Sequence, residues 1–409
     1  MSGEILFLAH RLPFPPDRGD RIRSAHVLRA LARLAPVHVG CFVDSEADRA
    51  HEPTLDMLAA STCVVTRGKP LPVAGIEALL RGEAVSVAAY RSARLARWVA
   101  DLLASGRIAA VYVFSGQIGQ FVPPSWSGRT VIDLCDVDSA KFEAYGTTAA
   151  FPQAWVHQRE GRLLSAEEAR LAGRADHTLL VSEEEAALLR ARVPLARNIT
   201  ALGNGIDADH FSPQGIFPAA AMSGEGPHLL FTGQMDYPPN VAAVERMVHQ
   251  VMPEVRRVLP YARFHIVGRA PVRAVRALDG IEGTTVHGAV ADMRPYLGAA
   301  DMVVAPLAIA RGVQNKVLEA MAMARPVVLS PEAATGIAAR DGEHFSVAPD
   351  DAAFVATILR LAAMPGMAQA MGDAARRFVI ERQSWPAMLA PLAGLLGLAK
   401  PAPEQRDAA

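Results

Sequence analysis

Short runs of apolar residues alternate with longer stretches of helical periodicity along the whole chain. The apolar runs are nearly continuous, which is typical of strands covered on both faces, as in a parallel sheet flanked by helices. We therefore predict an α/β fold built from open parallel sheets. The predicted strands lie at residues 5–10, 37–43, 62–66, 108–115, 130–136, 177–182, 200–205, 228–233, 264–268, 284–288, 302–306, 326–330 and 345–349.

The alternation is interrupted between residues 212 and 227, where Pro, Gly, Ser and Ala dominate and charge is sparse. Such a composition is typical of a linker. We predict two α/β domains of similar size, 1–212 and 213–384, with residues 385–409 crossing back onto the first domain. The clearest predicted helices lie at residues 21–35, 157–173, 240–258, 350–363 and 366–382.

Composition narrows the class of protein. Hydrophobic residues make up 51% of the chain and charged residues 20%, so large cores can form. The formal net charge of −1 argues against a general nucleic-acid-binding protein. Cys41, Cys63 and Cys135 lack CxxC spacing, so we predict free core thiols in a reducing compartment. With no basic leader and no apolar run of about 18 residues, we expect a cytoplasmic protein.

Basic side chains concentrate in residues 11–33, which carry six arginines and two aspartates. One interpretation is a solvated helix face. The other is a surface for an anionic ligand or for the inner face of the plasma membrane. The sequence leaves both interpretations open. The arginines are Arg11, Arg18, Arg21, Arg23, Arg29 and Arg33, and the aspartates are Asp17 and Asp20.

Residues 311–328 form a predicted loop and helix between two apolar strands. Such strand–helix–strand units build parallel sheets, whose ligand sites lie at the strand C-termini. Gly312 and Gln314 stand at the helix start, where free backbone N–H groups favour an anion. Lys316 and Glu319 are three residues apart and therefore share one helix face. A cation for a phosphate beside a carboxylate for hydroxyl groups suits a sugar nucleotide.

Two loops of the first half also follow predicted strands. Gly19 opens a helix, and it either completes an ordinary connection or lets the backbone approach a ligand. Asp133, Asp136 and Asp138 cluster where another strand ends. We assign Asp138, or its neighbour Ser139, to capping the next helix, and keep Asp136 as a candidate base or sugar-hydroxyl acceptor. A metal site is less favoured, since no second acidic cluster follows a nearby strand.

In the second half, Gly233 gives a turn after a predicted strand, and Asn240 is predicted to cap the following helix. A tight strand-to-helix loop explains most of this segment. The sequence contains no Walker P-loop, HExxH, EF-hand or GxSxG motif, so the chemistries that those motifs carry are not indicated.

Taken together, these motifs resemble those of the retaining GT-B glycosyltransferases of the group 1 (GT4-like) family, over nearly the whole chain. Three variants, PPDRGDRIR, DLCDVDS and GVQNKVLEAMA, are more similar to a bacterial subgroup found beside exosortase (PEP-CTERM) and exopolysaccharide gene sets. The matching motifs are the glycine loop at Gly19, VSEEEAALL (181–189), NGIDADHF (204–211), LLFTGQMDYPPN (229–240), FHIVGRAP (264–271) and KVLEAMAMARPVV (316–328).

The resemblance implies two Rossmann-like domains facing across a cleft, with the acceptor in the first and a nucleotide-sugar donor in the second. Glu319 would then bind the ribose hydroxyls, Lys316 the diphosphate, and Arg269 the base. The remaining residues implied at the donor or acceptor are Gly19, Gly233, Gly312, Val313 and Gln314, through their backbone, and Asp136, through its carboxylate.

One position departs from the family pattern. The family often has a Glu eight residues before Glu319, and here that position is Arg311. A second basic position after the first strand of the donor domain is Met235 or Asp236 in this chain. Arg311 would supply positive charge to the leaving phosphate instead, which puts the identity of the sugar in doubt more than the activity.

The implied reaction moves a sugar from a nucleotide-diphosphate donor to a saccharide acceptor, with retention and without a metal or other cofactor. We expect a lipid-linked acceptor, a role in bacterial exopolysaccharide synthesis, peripheral contact with an anionic membrane and no nucleic acid partner. The alternatives are a UDP-N-acetylhexosamine 2-epimerase, a phosphorylase with lysine-bound pyridoxal phosphate, and a catalytically inactive sugar-nucleotide-binding partner.

Overall fold

The structure is a computed structural model that describes residues 3–310 and 312–398. Its strands form two parallel sheets, and each predicted apolar run contributes a strand. The orders are β3-β2-β1-β4-β5-β6-β7 and β10-β9-β8-β11-β12-β13, so the predicted α/β class is confirmed. The strands are β1 Glu4–Ala9, β2 Val37–Val43, β3 Ser61–Thr66, β4 Ile108–Phe114, β5 Arg129–Cys135, β6 His177–Leu180, β7 Ile199–Ala201, β8 His228–Thr232, β9 Arg263–Val267, β10 Thr284–Gly288, β11 Met302–Ala305, β12 Val327–Leu329 and β13 Ser346–Val347.

Helices connect the strands. In the first half they are α1 Gly19–Ala32, α2 Glu46–Arg49, α3 Glu52–Asp56, α4 Leu71–Arg81, α5 Val85–Ala88, α6 Ala93–Ala104, α7 Asp138–Thr148, α8 Gln153–Ala172 and α9 Glu183–Arg192. In the second half they are α10 Pro238–Arg246, α11 Met252–Val258, α12 Arg273–Arg276, α13 Arg294–Ala299, α14 Asn315–Ala322, α15 Pro331–Ala334, α16 Asp351–Ala363, α17 Pro365–Phe378, α18 Trp385–Leu389 and α19 Leu392–Leu395.

The helix predicted at 240–258 is interrupted by a π-helical segment, Met247–Val251, which joins α10 to α11. Pro253 lies in the first turn of α11. A proline has no N–H to donate and collides with the carbonyl four residues earlier, so the regular hydrogen-bond pattern cannot continue there. The π-helical turn is the local adjustment.

The chain divides into two compact units. One comprises residues up to Asn204 together with those from Met388 onward, and the other runs from Gly205 to Ala387. The first stretch of the first unit therefore ends at residue 204, eight residues before residue 212, where the sequence predicted the end of the first domain. The reason is that residues 206–211 belong to the second unit, where the Ile206 N–H donates to the Gln383 carbonyl at 2.7 Å. Arg376 donates to the carbonyl of Phe211 at 2.9 Å.

A buried ion pair ties α1 to β5 inside the first unit. The Arg23 guanidinium donates to both carboxylate oxygens of Asp133, at 2.9 and 3.2 Å, and to the Asn204 side chain at 3.0 Å. Tyr112 donates its hydroxyl to the same carboxylate at 2.7 Å. Arg23 is 2% exposed and Asp133 0% exposed, so Asp133 is a core group rather than a member of a surface acidic cluster.

The expected cap of α7 is wrong. Neither Asp138 nor Ser139 caps α7, because the helix already begins at Asp138 and Val137 occupies the cap position. Carboxylates from other helices replace the cap: Glu185 accepts from the Val137 N–H at 2.7 Å, and Glu168 accepts from the Ser139 N–H at 2.9 Å. The first-turn N–H groups therefore find acceptors distant in sequence.

The basic segment 11–33 does not present all its charge to solvent. Arg21 and Arg23 are buried, and Arg21 pairs with Asp48. Arg11 lies between Asp20 and Asp44, at 2.8 and 3.2 Å. Arg21 and Arg23 therefore add no exposed charge under either interpretation of this segment, because the fold brings carboxylates of other elements to them.

The three cysteines are free, and Cys41 and Cys63 are buried as predicted. Within residues 3–310 and 312–398, no single helix is long and apolar enough to cross a membrane, while α16 with residues 365–383 passes that test only as a pair bent by 104°.

Replacing Asp133 by Ala should destabilise the protein strongly, because it leaves the Arg23 guanidinium buried without its partner. We expect the free energy of unfolding to fall by about 3–5 kcal/mol. Urea titration followed by circular dichroism measures this. Asp136→Ala is the matched control, since Asp136 pairs with Lys141 in a half-exposed bridge, and it should change stability by about 0–1 kcal/mol. Equal losses in the two variants would contradict the assignment.

Candidate functional site

A cavity of about 470 Å³ opens at the C-terminal edge of the six-stranded sheet. The loops after β8, β9, β10 and β11 contribute to its walls. The strand order reverses between β8 and β11, and such a crossover is where ligands bind in open parallel sheets. The volume is in the range of small-molecule pockets. Lining residues are Thr232, Gly233, Gln234, Tyr237, Asn240, Gly268, Arg269, Ala289, Val290, Met293, Val313, Gln314, Asn315, Lys316 and Glu319.

Two glycines allow the loops after β8 and β9 to meet at the cavity. A Cβ atom on Gly268 would lie 1.6 Å from the carbonyl oxygen of Gly233. A Cβ atom on Gly233 would lie 2.8 Å from Asn240 Nδ2 and 3.1 Å from Lys316 Nζ. Side chains at either position would therefore push apart the groups that form the cavity wall.

Lys316 extends its ammonium group into this wall. Its Nζ donates to Asn240 Oδ1 at 2.6 Å and lies 4.3 Å from the centroid of the Phe231 ring. The Asn240 amide in turn donates from Nδ2 to the Gln234 carbonyl at 2.9 Å. Asn240 is 6% exposed, so it positions Lys316 and the glycine loop from inside rather than capping α10, whose cap position is Tyr237.

Burial changes the titration of both charged residues on α14. It lowers the pKa of Lys316 to about 8, although nearby Glu319 opposes that shift. Burial also raises the pKa of the Glu319 carboxyl, which Lys316 counteracts. Within the described part of the chain, the Glu319 carboxylate accepts no hydrogen bond, and Lys316 donates to a neutral amide. Both groups line the one cavity, and each keeps capacity for a ligand.

The first turn of α14 offers backbone donors to the same cavity. Gln314 occupies the cap position, with its backbone extended and without a side-chain cap. The Val317 N–H is the first to bond within the helix, to the Gln314 carbonyl at 2.9 Å. The N–H groups of Asn315 and Lys316 have no acceptor among the described residues. Gly312, at φ +61°, makes the turn that precedes them.

Arg269 lies exposed at the rim, after β9. Its guanidinium donates to Gln234 Oε1 at 2.8 Å, which joins the loops after β8 and β9. Met235, at one of the positions where the family often has a basic residue, is fully buried in the core instead. The cations that the described residues bring to this cavity are therefore Lys316 and Arg269.

The structure brings most of the predicted donor residues together. Lys316, Glu319 and Arg269 line the one cavity, and Gly312 adjoins it. Gly233, Val313 and Gln314 line it as well. Arg311, predicted to act on the leaving phosphate, lies outside the described residues.

Gly19 and Asp136 belong to the first unit, at the C-terminal edge of its own sheet. Gly19 begins α1, and a Cβ atom there would meet nothing within 4 Å. The φ angle of Gly19 is one that other residues can adopt. What glycine provides at this position is therefore open space beside the backbone. Asp136 follows β5 and accepts a hydrogen bond from Lys141 at 2.8 Å. Burial opposes protonation of Lys141, but the hydrogen bond to Asp136 raises its pKa to about 12.

Sequence reasoning missed three contributors to the cavity wall: Asn240 as a positioning residue, Gly268 as a close-approach glycine, and Phe231 beneath the ammonium. No local signal identified them, because the parallel register that pairs β8 with β9 and places Thr232 beside Val267 is seen only in the structure. That register makes the residues after both strands neighbours. Among the described residues, no group of three His, Cys, Asp or Glu side chains is arranged to hold a metal ion.

Residues 226–364 match the family described as Glycosyl transferases group 1. This segment, which contains the whole cavity, is therefore a domain of that kind. No curated protein matches the sequence.

Solved glycosyltransferase structures share the fold. Sucrose-phosphate synthase from Thermosynechococcus elongatus is 16% identical, with a TM-score of 0.56, over 96% of this chain and 98% of that one. HepE of Anabaena, solved with UDP and glucose, is 14% identical, with a TM-score of 0.54, over 97% and 99%. WaaG, a glycosyltransferase involved in lipopolysaccharide biosynthesis, is 15% identical, with a TM-score of 0.53, over 96% and 100%. The expected GT-B fold class is confirmed.

The buried position of Lys316 predicts that its ammonium titrates near pH 8. The chain has four lysines, at positions 69, 141, 316 and 400, so reductive ¹³C-methylation gives few NMR signals to assign. Asn240→Ala should lower the pKa of Lys316 further, because it removes the acceptor of the charged form. The Lys141 signal is the internal reference, with a pKa of about 12. A Lys316 signal that titrates together with Lys141 would contradict the buried assignment.

Proposed function

We propose that the protein is a retaining glycosyltransferase that moves a sugar from a UDP-type nucleotide sugar to a saccharide acceptor. The observation that carries this proposal is the single cavity at the sheet crossover. It combines a buried ammonium, open N–H groups at a helix start and a carboxylate without a hydrogen-bond donor. UDP and glucose in the HepE structure support the choice of donor.

The chemical requirement is stabilisation of the leaving diphosphate. Negative charge develops there as the bond to the sugar breaks, and preorganised donors at that position lower the barrier. Lys316 Nζ and the N-terminus of α14 supply positive charge on one side of the cavity. Glu319, one turn further along the helix, is placed for ribose hydroxyls, and Arg269 at the rim for the base.

We assign the acceptor side to the first unit. Asp136 would orient the sugar or the acceptor, and the open backbone at Gly19 would approach the donor. We further propose a lipid-linked acceptor, a role in bacterial exopolysaccharide synthesis and a cytoplasmic location at the inner face of the plasma membrane. Similarity in fold to WaaG, described as acting in lipopolysaccharide biosynthesis, supports that assignment.

Three alternatives make different predictions from the same cavity. An epimerase converts the donor without an acceptor. An inactive partner binds the donor without releasing UDP. A phosphorylase carries pyridoxal phosphate on a lysine and absorbs light accordingly. Measured release of UDP, with and without acceptor extracts, separates these activities.

A panel of UDP-, GDP- and ADP-sugars read by thermal unfolding tests the donor assignment. A ligand at a hundred times its Kd stabilises the native state by about 2.7 kcal/mol. We expect the UDP-sugars to raise the Tm of the wild type and to lose that effect in Glu319→Ala. Glu332→Ala is the matched control, an exposed glutamate on the neighbouring helix α15. A shift that survives in Glu319→Ala would remove Glu319 from the site.

The dependence of kcat/KM on pH tests the role of Lys316. The pKa of Lys316 is lowered to about 8, so the ammonium that stabilises the leaving group is lost as pH rises through that value. We expect kcat/KM for UDP release to fall above pH 8 by about tenfold per unit. Lys316→Arg, always charged, should remove the fall, and Lys316→Ala should lower kcat by about 10²–10³. An unchanged profile in Lys316→Arg would assign the titration to another group.

A further inference from the structure

Helix α4 of the first unit buries small residues and exposes large apolar ones, whereas an ordinary amphipathic helix buries its large apolar residues. Its buried residues are two alanines, Ala74 and Ala78. Large apolar side chains lie on the opposite side, with Ile76 61% exposed and Leu80 83% exposed. Val73 and Leu79 share that side by helical spacing. We name these four residues the apolar face of α4.

A second exposed apolar group lies on the neighbouring helix. Phe151, in the turn before α8, is 86% exposed, and Trp155, in the first turn of α8, is 54% exposed. The next turn of α8 carries Arg159, which donates to the carbonyls of Ala78 at 3.0 Å and Glu83 at 3.2 Å. Arg159 thus holds the start of α8 against the C-terminal end of α4. Exposed apolar side chains grouped on one element in this way mark an interaction site.

The stretch of chain that carries α4 is basic in sequence. Arg67 in this stretch pairs with Asp44 at 2.6 Å, while Arg94 and Arg97 are exposed. Residues 67–97 carry six Arg or Lys and two Glu, a net charge of +4, while the whole chain has a net charge of −1. The two acidic residues, Glu77 and Glu83, are both ion-paired. Glu77 pairs with Lys69 at 2.6 Å and with Arg91 at 2.9 Å, and Glu83 pairs with Arg91. The hydrogen bond from Lys69 also lowers the pKa of Glu77, so this carboxylate stays paired.

We propose that the apolar face of α4 docks on an anionic lipid bilayer. An interfacial helix requires apolar side chains that enter the acyl boundary and cations that meet the headgroups, and α4 with its flanking segment has both. Trp155 adds an aromatic ring of the type that favours the boundary between lipid and water. The excess positive charge is the feature that selects lipid over a second copy of this chain, because two copies would bring like charges together.

This surface replaces the segment 11–33 as the place of contact, since Arg21 and Arg23 there are buried. Its use for a lipid-borne acceptor rests on the proposed function. Docking itself does not, because it requires neither a donor nor turnover. The two proposals can therefore fail separately.

The test is sedimentation of the full-length protein with vesicles of phosphatidylcholine and phosphatidylglycerol at a ratio of 70 to 30, compared with phosphatidylcholine alone. We expect binding to the mixed vesicles and weaker binding to the neutral ones. Ile76→Glu with Leu80→Glu should lower the partition coefficient at least about tenfold, since both side chains face solvent and the fold tolerates them. Arg94→Glu with Arg97→Glu should weaken binding to the mixed vesicles only.

Leu195→Glu is the matched control, because Leu195 is 93% exposed in the same unit but lies in the connection between α9 and β7. It should bind like the wild type. Retained thermal stability of the Ile76 and Leu80 double variant shows that it folds. Wild-type binding by that variant would overturn the proposal. Absence of vesicle binding by the wild type would also overturn the proposal. This includes the outcome in which the wild type is a dimer and the double variant is a monomer.

Discussion

An ammonium group buried against a neutral amide is the interaction on which the chemistry of the second unit depends. Lys316 donates to Asn240 Oδ1 at 2.6 Å and loses hydration, which lowers its pKa to about 8. The positive end of α14 adds to the same field rather than opposing it. Among the described residues, Glu319 is the nearby carboxylate, and burial raises its pKa. The Glu319 carboxylate therefore offsets only part of the positive charge at this position.

The proposed diphosphate would remove this imbalance. Its two charges would be met by the ammonium and by the N–H groups at the helix start, and the desolvation of Lys316 would be offset by a charged hydrogen bond. The same arrangement discriminates against uncharged sugars, which would leave the ammonium unpaired. In the proposed reaction, binding energy and leaving-group stabilisation would come from the same atoms, and the stabilisation would grow as the bond to the sugar breaks.

The parts of the fold that sequence predicted are those set by local pattern. Buried parallel strands need continuous apolar runs, so each strand was visible in its own residues. The helix spacing of Lys316 and Glu319 is equally local. What the sequence could not reveal were partners far apart in the chain. Asn240 and Lys316 are 76 residues apart, and Arg23 and Asp133 are 110 apart. Only the sheet order makes such residues neighbours.

Neighbouring elements of the fold also decide whether a charged or apolar side chain is available at the surface. The arginines of residues 11–33 looked available for an anionic surface, but Asp48 and Asp133 arrive from other elements and pair with Arg21 and Arg23. In α4 the reverse holds, because small alanines suffice for packing and the large side chains are left outside. Ile76 and Leu80 would gain free energy from a partner that removes their side chains from water. Their exposure, beside a net charge of +4 in residues 67–97, therefore argues for a partner with an apolar interior and an anionic surface.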